Sequence, residues 1–364
     1  VSYLLLTVGL AALVAGAELL VRGASSLAVR TGLSPVVVGL TVVAFGTSTP
    51  ELAVSVGAAL RGEAGLAIGN VVGSNIFNVL GVLGVSAVVG GGLLVAQKIV
   101  RIDVPIMIAV SVLLLVLAAD GRLGRIEGSA LFVGILAYTV WTVRVSGRES
   151  RRVIEEYEEA YATPPRRHVA IDAVLIVGGI ALLVAGAGWM VDAASEIAAS
   201  FGVSDLVIGL TVVAVGTSAP ELATSVVAAV RGERDIAVGN AVGSNVFNIL
   251  AVLGLTAIVA PDGLPVSSEA LRLDLPIMVA VAIACLPFFV SGHELERWEG
   301  VVFVGYYVAY VTFLVLDQTG SGLRAPFAVA MGAFVLPLTV LTLCVVAARS
   351  LRARRRSPDG GSAP

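Results

Sequence analysis

Charge is scarce in this sequence. Of 364 residues, 13% are Asp, Glu, Lys or Arg, about half the share of about 25% in soluble domains. Hydrophobic residues make up 57%. That balance leaves too little polar surface to cover a soluble core, so the chain reads as an integral membrane protein. Aromatic residues are also few, at 6%, whereas glycine is abundant, at 41 residues. This suits closely packed transmembrane helices. The two cysteines, Cys285 and Cys344, both lie in apolar runs and read as packing residues rather than a disulfide or a metal pair. The two histidines, His168 and His293, are isolated and near loops, and HExxH is absent. With neither histidine near a serine motif, an intramembrane hydrolase has no evident base. The net charge of −3 comes with no domain-sized basic patch, which argues against nucleic acid as a partner. No early segment joins a charged region to a small-residue cleavage site, so the first apolar run is expected to be a span, not a signal peptide.

Long apolar runs are what the chain has instead. Eleven reach the length of about 20 residues that a span requires: 3–21, 34–60, 64–90, 101–119, 127–145, 169–191, 204–230, 234–260, 273–291, 298–316 and 325–348. Placing the N-terminus outside puts 18 of the 23 Lys and Arg residues on the cytoplasmic side, as the positive-inside bias demands. The C-terminus is then cytoplasmic, and the expected location is the plasma (inner) membrane, crossed many times.

The runs repeat. Residues 39–84 align with 209–254 at a constant offset of 170, with 33 of 46 positions identical. "LVAGA" at 13–17 returns at 183–187, and "RIDVPIM" at 101–107 answers "RLDLPIM" at 272–278. Two five-span units follow. Five is odd, so the second enters from the opposite face, and a pseudo-two-fold axis lies in the membrane plane. Secondary transporters are commonly built this way, with their site near the midplane between the repeats. The expected fold is thus an all-α membrane protein with two inverted five-helix repeats, ten helices in all, and one extra C-terminal helix. Its units would be 1–147, a cytoplasmic linker 148–167, 168–316, the additional helix 317–348 and a basic tail 349–364. The linker is too short for a folded sensing domain and reads as an amphipathic surface segment or solvated connection.

The most similar part of the repeat is also its polar part. "GTSTPE" at 46–51 and "GTSAPE" at 216–221 each place a proline and a glutamate inside an apolar run. Proline cannot donate to the helix ladder, so each helix should break before Pro50 or Pro220 and restart there. The break is expected over Gly46, Thr47, Ser48 and Thr49, freeing carbonyls, and over the matching residues from Gly216. Glu51 and Glu221 then sit near the positive end of a half-helix. "GNVVGSNIFN" at 69–78 and "GNAVGSNVFN" at 239–248 form the second element. Ser74 and Asn78 share a helix face, as do Ser244 and Asn248. With Ser48 and Ser218, the set offers only oxygen ligands, which hard cations such as Na⁺ and Ca²⁺ prefer. Two carboxylates match the charge of one Ca²⁺. A charge at the bilayer centre costs at least about 2.5 kcal/mol, so two symmetric glutamates are hard to assign to packing.

These residues resemble the α-repeats of prokaryotic sodium/calcium exchangers in the calcium/cation antiporter superfamily. The resemblance covers all ten repeat spans. It implies that Glu51 and Glu221 bind Ca²⁺ with the carbonyls of Thr47 and Thr217. It implies Na⁺ sites using Ser48, Ser74, Ser218, Ser244, both glutamates and the carbonyls of Ala44 and Ala214, with Asn78 and Asn248 flanking the centre. Position 248 is Asn where some relatives, including the potassium-dependent exchangers, carry Asp, which speaks against K⁺ dependence. The eleventh span lies outside the ten-span core.

The expected function is Na⁺/Ca²⁺ antiport by a secondary transporter, not an enzyme. Ca²⁺ and Na⁺ are its substrates, the bilayer its surroundings, and a monomer its working unit. No cofactor is expected. A H⁺/Ca²⁺ antiporter would use the same glutamates and stays open. A cation channel would need a continuous pore, which paired broken helices in an inverted repeat do not suggest. Spans one and six, rich in small residues, are expected to slide against the site bundle.

Overall fold

A computed structural model describes residues 2–160, 169–201, 214–290, 294–335 and 340. Among them, eight helices are long and apolar enough to cross a membrane. They are α1 (Ser2–Thr31), α4 (Ala64–Gly90), α5 (Ile99–Leu117), α6 (Arg125–Ala160, apolar to Arg144), α7 (Val169–Ser200), α10 (Arg234–Val259), α11 (Ala270–Phe289) and α12 (Arg297–Gln318). A bent pair, α2 (Pro35–Thr47) and α3 (Thr49–Leu60), makes a ninth crossing when taken as one span, with 43° between its halves. The equivalent pair in the second half is described as α8 (Ala214–Thr217) and α9 (Ala219–Val230). Residues 204–213 of the expected seventh span lie outside the described residues. So do 161–167 of the expected linker, most of the eleventh span after 335, and the tail. Of the eleventh span the structure describes α13 (Arg324–Ala330) and a π-helical turn at Met331–Val335.

Several helices outrun the expected spans. Helix α1 continues to Thr31 rather than ending at 21, and α7 to Ser200 rather than 191. Helix α6 runs on to Ala160, so the first part of the expected linker is helical. A 30-residue helix is about 45 Å long, more than the hydrocarbon core of about 30 Å. The apolar run sets the buried length, but the backbone ladder needs no apolar side chains to continue past it.

Helices α4 and α10 form the centre. Their most apolar stretches are 83% and 78% buried, against 17% for α12. Both carry the Gly-Ser-Asn motif, and both contain a π-helical turn at the same repeat position, Asn78–Leu83 and Asn248–Leu253. Such turns are frequent at functional sites.

Glycines set how closely the helices approach. A Cβ on Gly9 would stand 2.9 Å from the Gly186 carbonyl oxygen, and one on Gly16 2.8 Å from that of Gly179. The order reverses along the chain, so α1 and α7 pack antiparallel. Their ends are tied as well. Ser2 donates to Glu196 at 2.8 Å, and Arg30 pairs with buried Asp172 at 3.3 Å. Cross-half packing recurs where Gly84 meets Gly300 and Gly128 meets Gly254. Two short strand pairs, absent from the sequence reading, also join the halves. Leu93–Leu94 pairs with Glu294–Leu295, and Arg122–Leu123 with Leu264–Pro265, both antiparallel. Two buried or partly buried carboxylates pin neighbouring helices: Tyr138 donates to Asp103 and Tyr310 to Asp274, each at 3.2 Å.

Candidate cation-binding site

The break in each bent helix is narrower than the sequence suggests. Only Ser48 interrupts α2 and α3, with φ −80° and ψ 7°, and the helix resumes at Thr49. Ser218, at φ −92° and ψ 11°, does the same before α9. Proline needs one residue to leave the ladder and then fits the first turn without loss. The Ser48 carbonyl is therefore not free: it accepts the Leu52 N–H at 3.2 Å, as the Ser218 carbonyl accepts Leu222 at 3.1 Å. The carbonyl of Gly46 loses its usual donor, because Pro50 at the i+4 position has no N–H.

Glu51 and Glu221 stand in the first turns of α3 and α9, and both are fully buried. Each is reached by a serine from the other half. Ser48 donates to Glu221 Oε1 at 3.1 Å, and Ser218 donates to Glu51 Oε1 at 3.0 Å. Ser74 of α4 also donates to Glu51 Oε1, at 3.4 Å, and lies 2.9 Å from the Ser218 hydroxyl. The second oxygens behave differently. Glu51 Oε2 and Glu221 Oε2 are buried without a hydrogen-bond partner, as are both amide atoms of Asn78 and Oδ1 of Asn248. A buried unsatisfied polar atom costs about 1–3 kcal/mol, and more for a charged group. This donor set fits a hard cation: it would satisfy oxygens that the protein leaves unmatched.

Other expected ligands stand as follows. Thr47 Oγ1 lies 3.5 Å from Ser244 Oγ. Asn248 donates to Asn75 Oδ1 at 3.1 Å. The Ala44 carbonyl accepts the Ser48 N–H at 3.0 Å and lies 3.4 Å from the Thr47 hydroxyl. Ala214 opens α8. Thr217 donates to Asn70 Oδ1 at 3.2 Å. Among the described residues, no three His, Cys, Asp or Glu side chains cluster closely enough to hold a metal. Hydroxyls and amides complete the set around the carboxylate pair.

The model of the sodium/calcium exchanger protein family matches residues 1–144 and 171–316. This chain belongs to that family. It is 34% identical over 347 residues to the sodium/calcium exchanger MaX1 of Methanosarcina acetivorans, covering 86% of this chain and 98% of that one. It is 34% identical over 312 residues to the inner membrane protein YrbG of Escherichia coli, covering 85% and 95%. Among solved structures, that of the sodium-calcium exchanger NCX_Mj soaked with Na⁺ and Sr²⁺ superposes with a TM-score of 0.73 at 28% identity, covering 85% of this chain and 97% of that one. A member of this family is an integral, multi-pass transporter rather than an enzyme. The family match ends at 316, just before the extra helix.

The candidate site has polar neighbours that the sequence reading missed. Asn70 and Asn240 lie behind the carboxylates, each bonded to three groups. Asn240 donates to the Glu221 carbonyl at 3.3 Å and to Ser225 Oγ at 3.0 Å, and accepts from Thr47 at 3.1 Å. Asn70 repeats this with the Glu51 carbonyl, Ser55 and Thr217. Deeper still, Asn75 contacts Met278 and Asn245 contacts Met107. The signal was present: Asn70 and Ser55 each recur at the offset of 170.

Proposed function

We propose that this chain exchanges Na⁺ for Ca²⁺ by alternating access, with Glu51 and Glu221 as ligands that both ions share. One observation carries the reading: each carboxylate takes a serine from the other half through Oε1 and keeps Oε2 buried and unmatched. The names of the relative MaX1 and of the solved exchanger NCX_Mj support the same ions.

The two glutamates neutralise one Ca²⁺. Carrying two buried charges through an occluded state without a cation is costly, so only loaded forms change sides. That yields exchange rather than leak. Three Na⁺ per Ca²⁺, the ratio the family resemblance implies, makes each cycle electrogenic. Asn248, neutral where a carboxylate would favour a further cation, fits transport independent of K⁺. The serines and the carbonyls of Thr47, Thr217, Ala44 and Ala214 are the proposed Na⁺ and Ca²⁺ ligands around the pair, with Asn78 and Asn248 flanking the centre.

In this reading the halves 1–147 and 168–316 are inverted repeats of five helices, with an accessory helix after them. The N-terminus is outside, the C-terminus cytoplasmic, and a monomer suffices. The antiparallel α1–α7 contact and the crosswise glycine pairs support the inversion. Helices α1 and α7, welded by glycines and tied at both ends, move as one body against the site.

The test is ⁴⁵Ca²⁺ uptake into proteoliposomes loaded with Na⁺, K⁺ or acid and diluted into Na⁺-free buffer. Uptake only with internal Na⁺, stimulated by an interior-positive potential, is the expected result. Uptake driven by internal acid and indifferent to Na⁺ would make the chain a proton-coupled antiporter on the same glutamates. Single-channel steps would reject a carrier altogether.

A further inference from the structure

We infer that Asn70 and Asn240 are positioning residues that brace the two broken helices against each other and thereby set the affinity of the cation site. This rests on the cation-site reading above but not on which ion drives exchange.

The orientation of each amide follows from its partners. The Glu221 carbonyl can only accept, so the Asn240 atom facing it at 3.3 Å must be the NH₂ group. The same group reaches Ser225 Oγ at 3.0 Å. Oδ1 is left to accept the Thr47 hydroxyl at 3.1 Å. Thr47 has one proton and four acceptors in range, the Glu221 carboxylate among them. Asn240 is nearer than the Ala44 carbonyl at 3.4 Å or Ser244 at 3.5 Å. Asn240 is fully buried, and so are Thr47 and Ser225.

The consequence is a linkage across the halves. Asn240, on α10, grips the first turn of α9 at the Glu221 carbonyl, two residues past its start. It also grips the last residue of α2, one position before Ser48. Ser48 in turn donates to Glu221 at 3.1 Å. The distance between Ser48 and Glu221 is thus held from behind by a single side chain. Asn70 does the same for Ser218 and Glu51 through Thr217, the Glu51 carbonyl and Ser55.

Residues that orient metal ligands without touching the metal typically change affinity by about 10–100-fold when removed. Asn240→Ala and Asn70→Ala are expected to weaken ⁴⁵Ca²⁺ binding to the purified full chain by that range. Thr47→Val removes one arm of the Asn240 brace with little change of volume and should weaken binding by about fivefold. The double variant Asn240→Ala/Thr47→Val should bind no more weakly than Asn240→Ala, since the hydroxyl acts through the amide.

A purely fold-stabilising asparagine would behave otherwise. It would lower the yield or melting temperature and leave the dissociation constant of the monodisperse fraction unchanged. Dissociation constants within twofold of wild type, or losses that add in the double variant, would overturn the brace. Should Asn240→Ala fail to fold, Thr47→Val and Asn70→Ala decide the matter. A wild-type chain that binds no ⁴⁵Ca²⁺ would instead sink the cation-site reading itself.

Discussion

Replacing Glu51 by Gln keeps the side-chain shape and removes one of two buried charges. With divalent cations chelated and Na⁺ absent, that charge has no counter-ion. Its Oε1 accepts hydroxyls from Ser218 at 3.0 Å and Ser74 at 3.4 Å, its Oε2 has no partner, and the residue is fully buried. The cation-free variant should therefore be more stable than wild type: the glutamine amide leaves the Oε2 position as unpartnered as before, but burying a neutral amide costs less than burying an unpaired charge. Ca²⁺ should reverse the order. Removing one partner of a buried ionic contact costs about 3–5 kcal/mol, and 1.4 kcal/mol is tenfold, so affinity falls by about 100-fold or more. At a Ca²⁺ concentration 100 times its dissociation constant, wild type gains about 2.7 kcal/mol. The variant, then at or below its own dissociation constant, gains at most about 0.4 kcal/mol. Thermal unfolding in detergent, with and without Ca²⁺, reads both terms on one sample. A variant that melts below wild type in chelator, or that keeps the full Ca²⁺ shift, would refute the assignment of Glu51. So would wild-type ⁴⁵Ca²⁺ uptake by the variant in proteoliposomes.

Other outcomes follow from the same geometry. Gly16→Val should disrupt the α1–α7 contact, because its Cβ alone would meet the Gly179 carbonyl at 2.8 Å; overpacking of this kind costs about 1–3 kcal/mol, read as a lower melting temperature and lost uptake. Glu18 of α1 pairs with Arg22 at 2.5 Å and with Arg231 at the end of α9, so it ties the α1–α7 body to the site bundle. Partly exposed pairs are worth about 0.2–1 kcal/mol; because that body moves in the proposed cycle, Glu18→Gln should change the maximal exchange rate and the apparent KM by up to about fivefold, and unchanged values in proteoliposome uptake would refute the motion. Tyr138→Phe removes a donor to the buried Asp103 carboxylate and should cost about 1.5–3 kcal/mol of stability while the KM for Ca²⁺ in proteoliposome uptake stays at the wild-type value.

What could be read from sequence was whatever polarity made conspicuous. Glu51 and Glu221 stood out because a carboxylate in an apolar run demands a reason, and the serines because both copies keep them. Asn70 and Asn240 were as regular in the repeat but stood one turn before Ser74 and Ser244, where a helix-to-helix hydrogen bond is the ordinary expectation. Partner choice was not legible at all. Helical periodicity says that Ser74 and Asn78 share a face; it says nothing of which half-helix lies opposite, so the donation of Ser48 to Glu221 rather than to its own Glu51 required the structure. The strand pairs at Leu93–Leu94 and Arg122–Leu123 are two residues long, too short for an alternation of period two to register. The repeat also hid something by its regularity. Glu18 aligns with Gly188, so its link to Arg231 has no counterpart, and Arg61, the partner of Arg231 by repeat position, pairs with Glu63 at 3.1 Å instead. In the proposed alternating-access cycle, two inverted halves with identical contacts would leave both orientations equal in energy. The positions where the copies differ are therefore where one orientation is favoured over the other, and among the described ion pairs Glu18–Arg231 joins the α1–α7 body to the site on one end only.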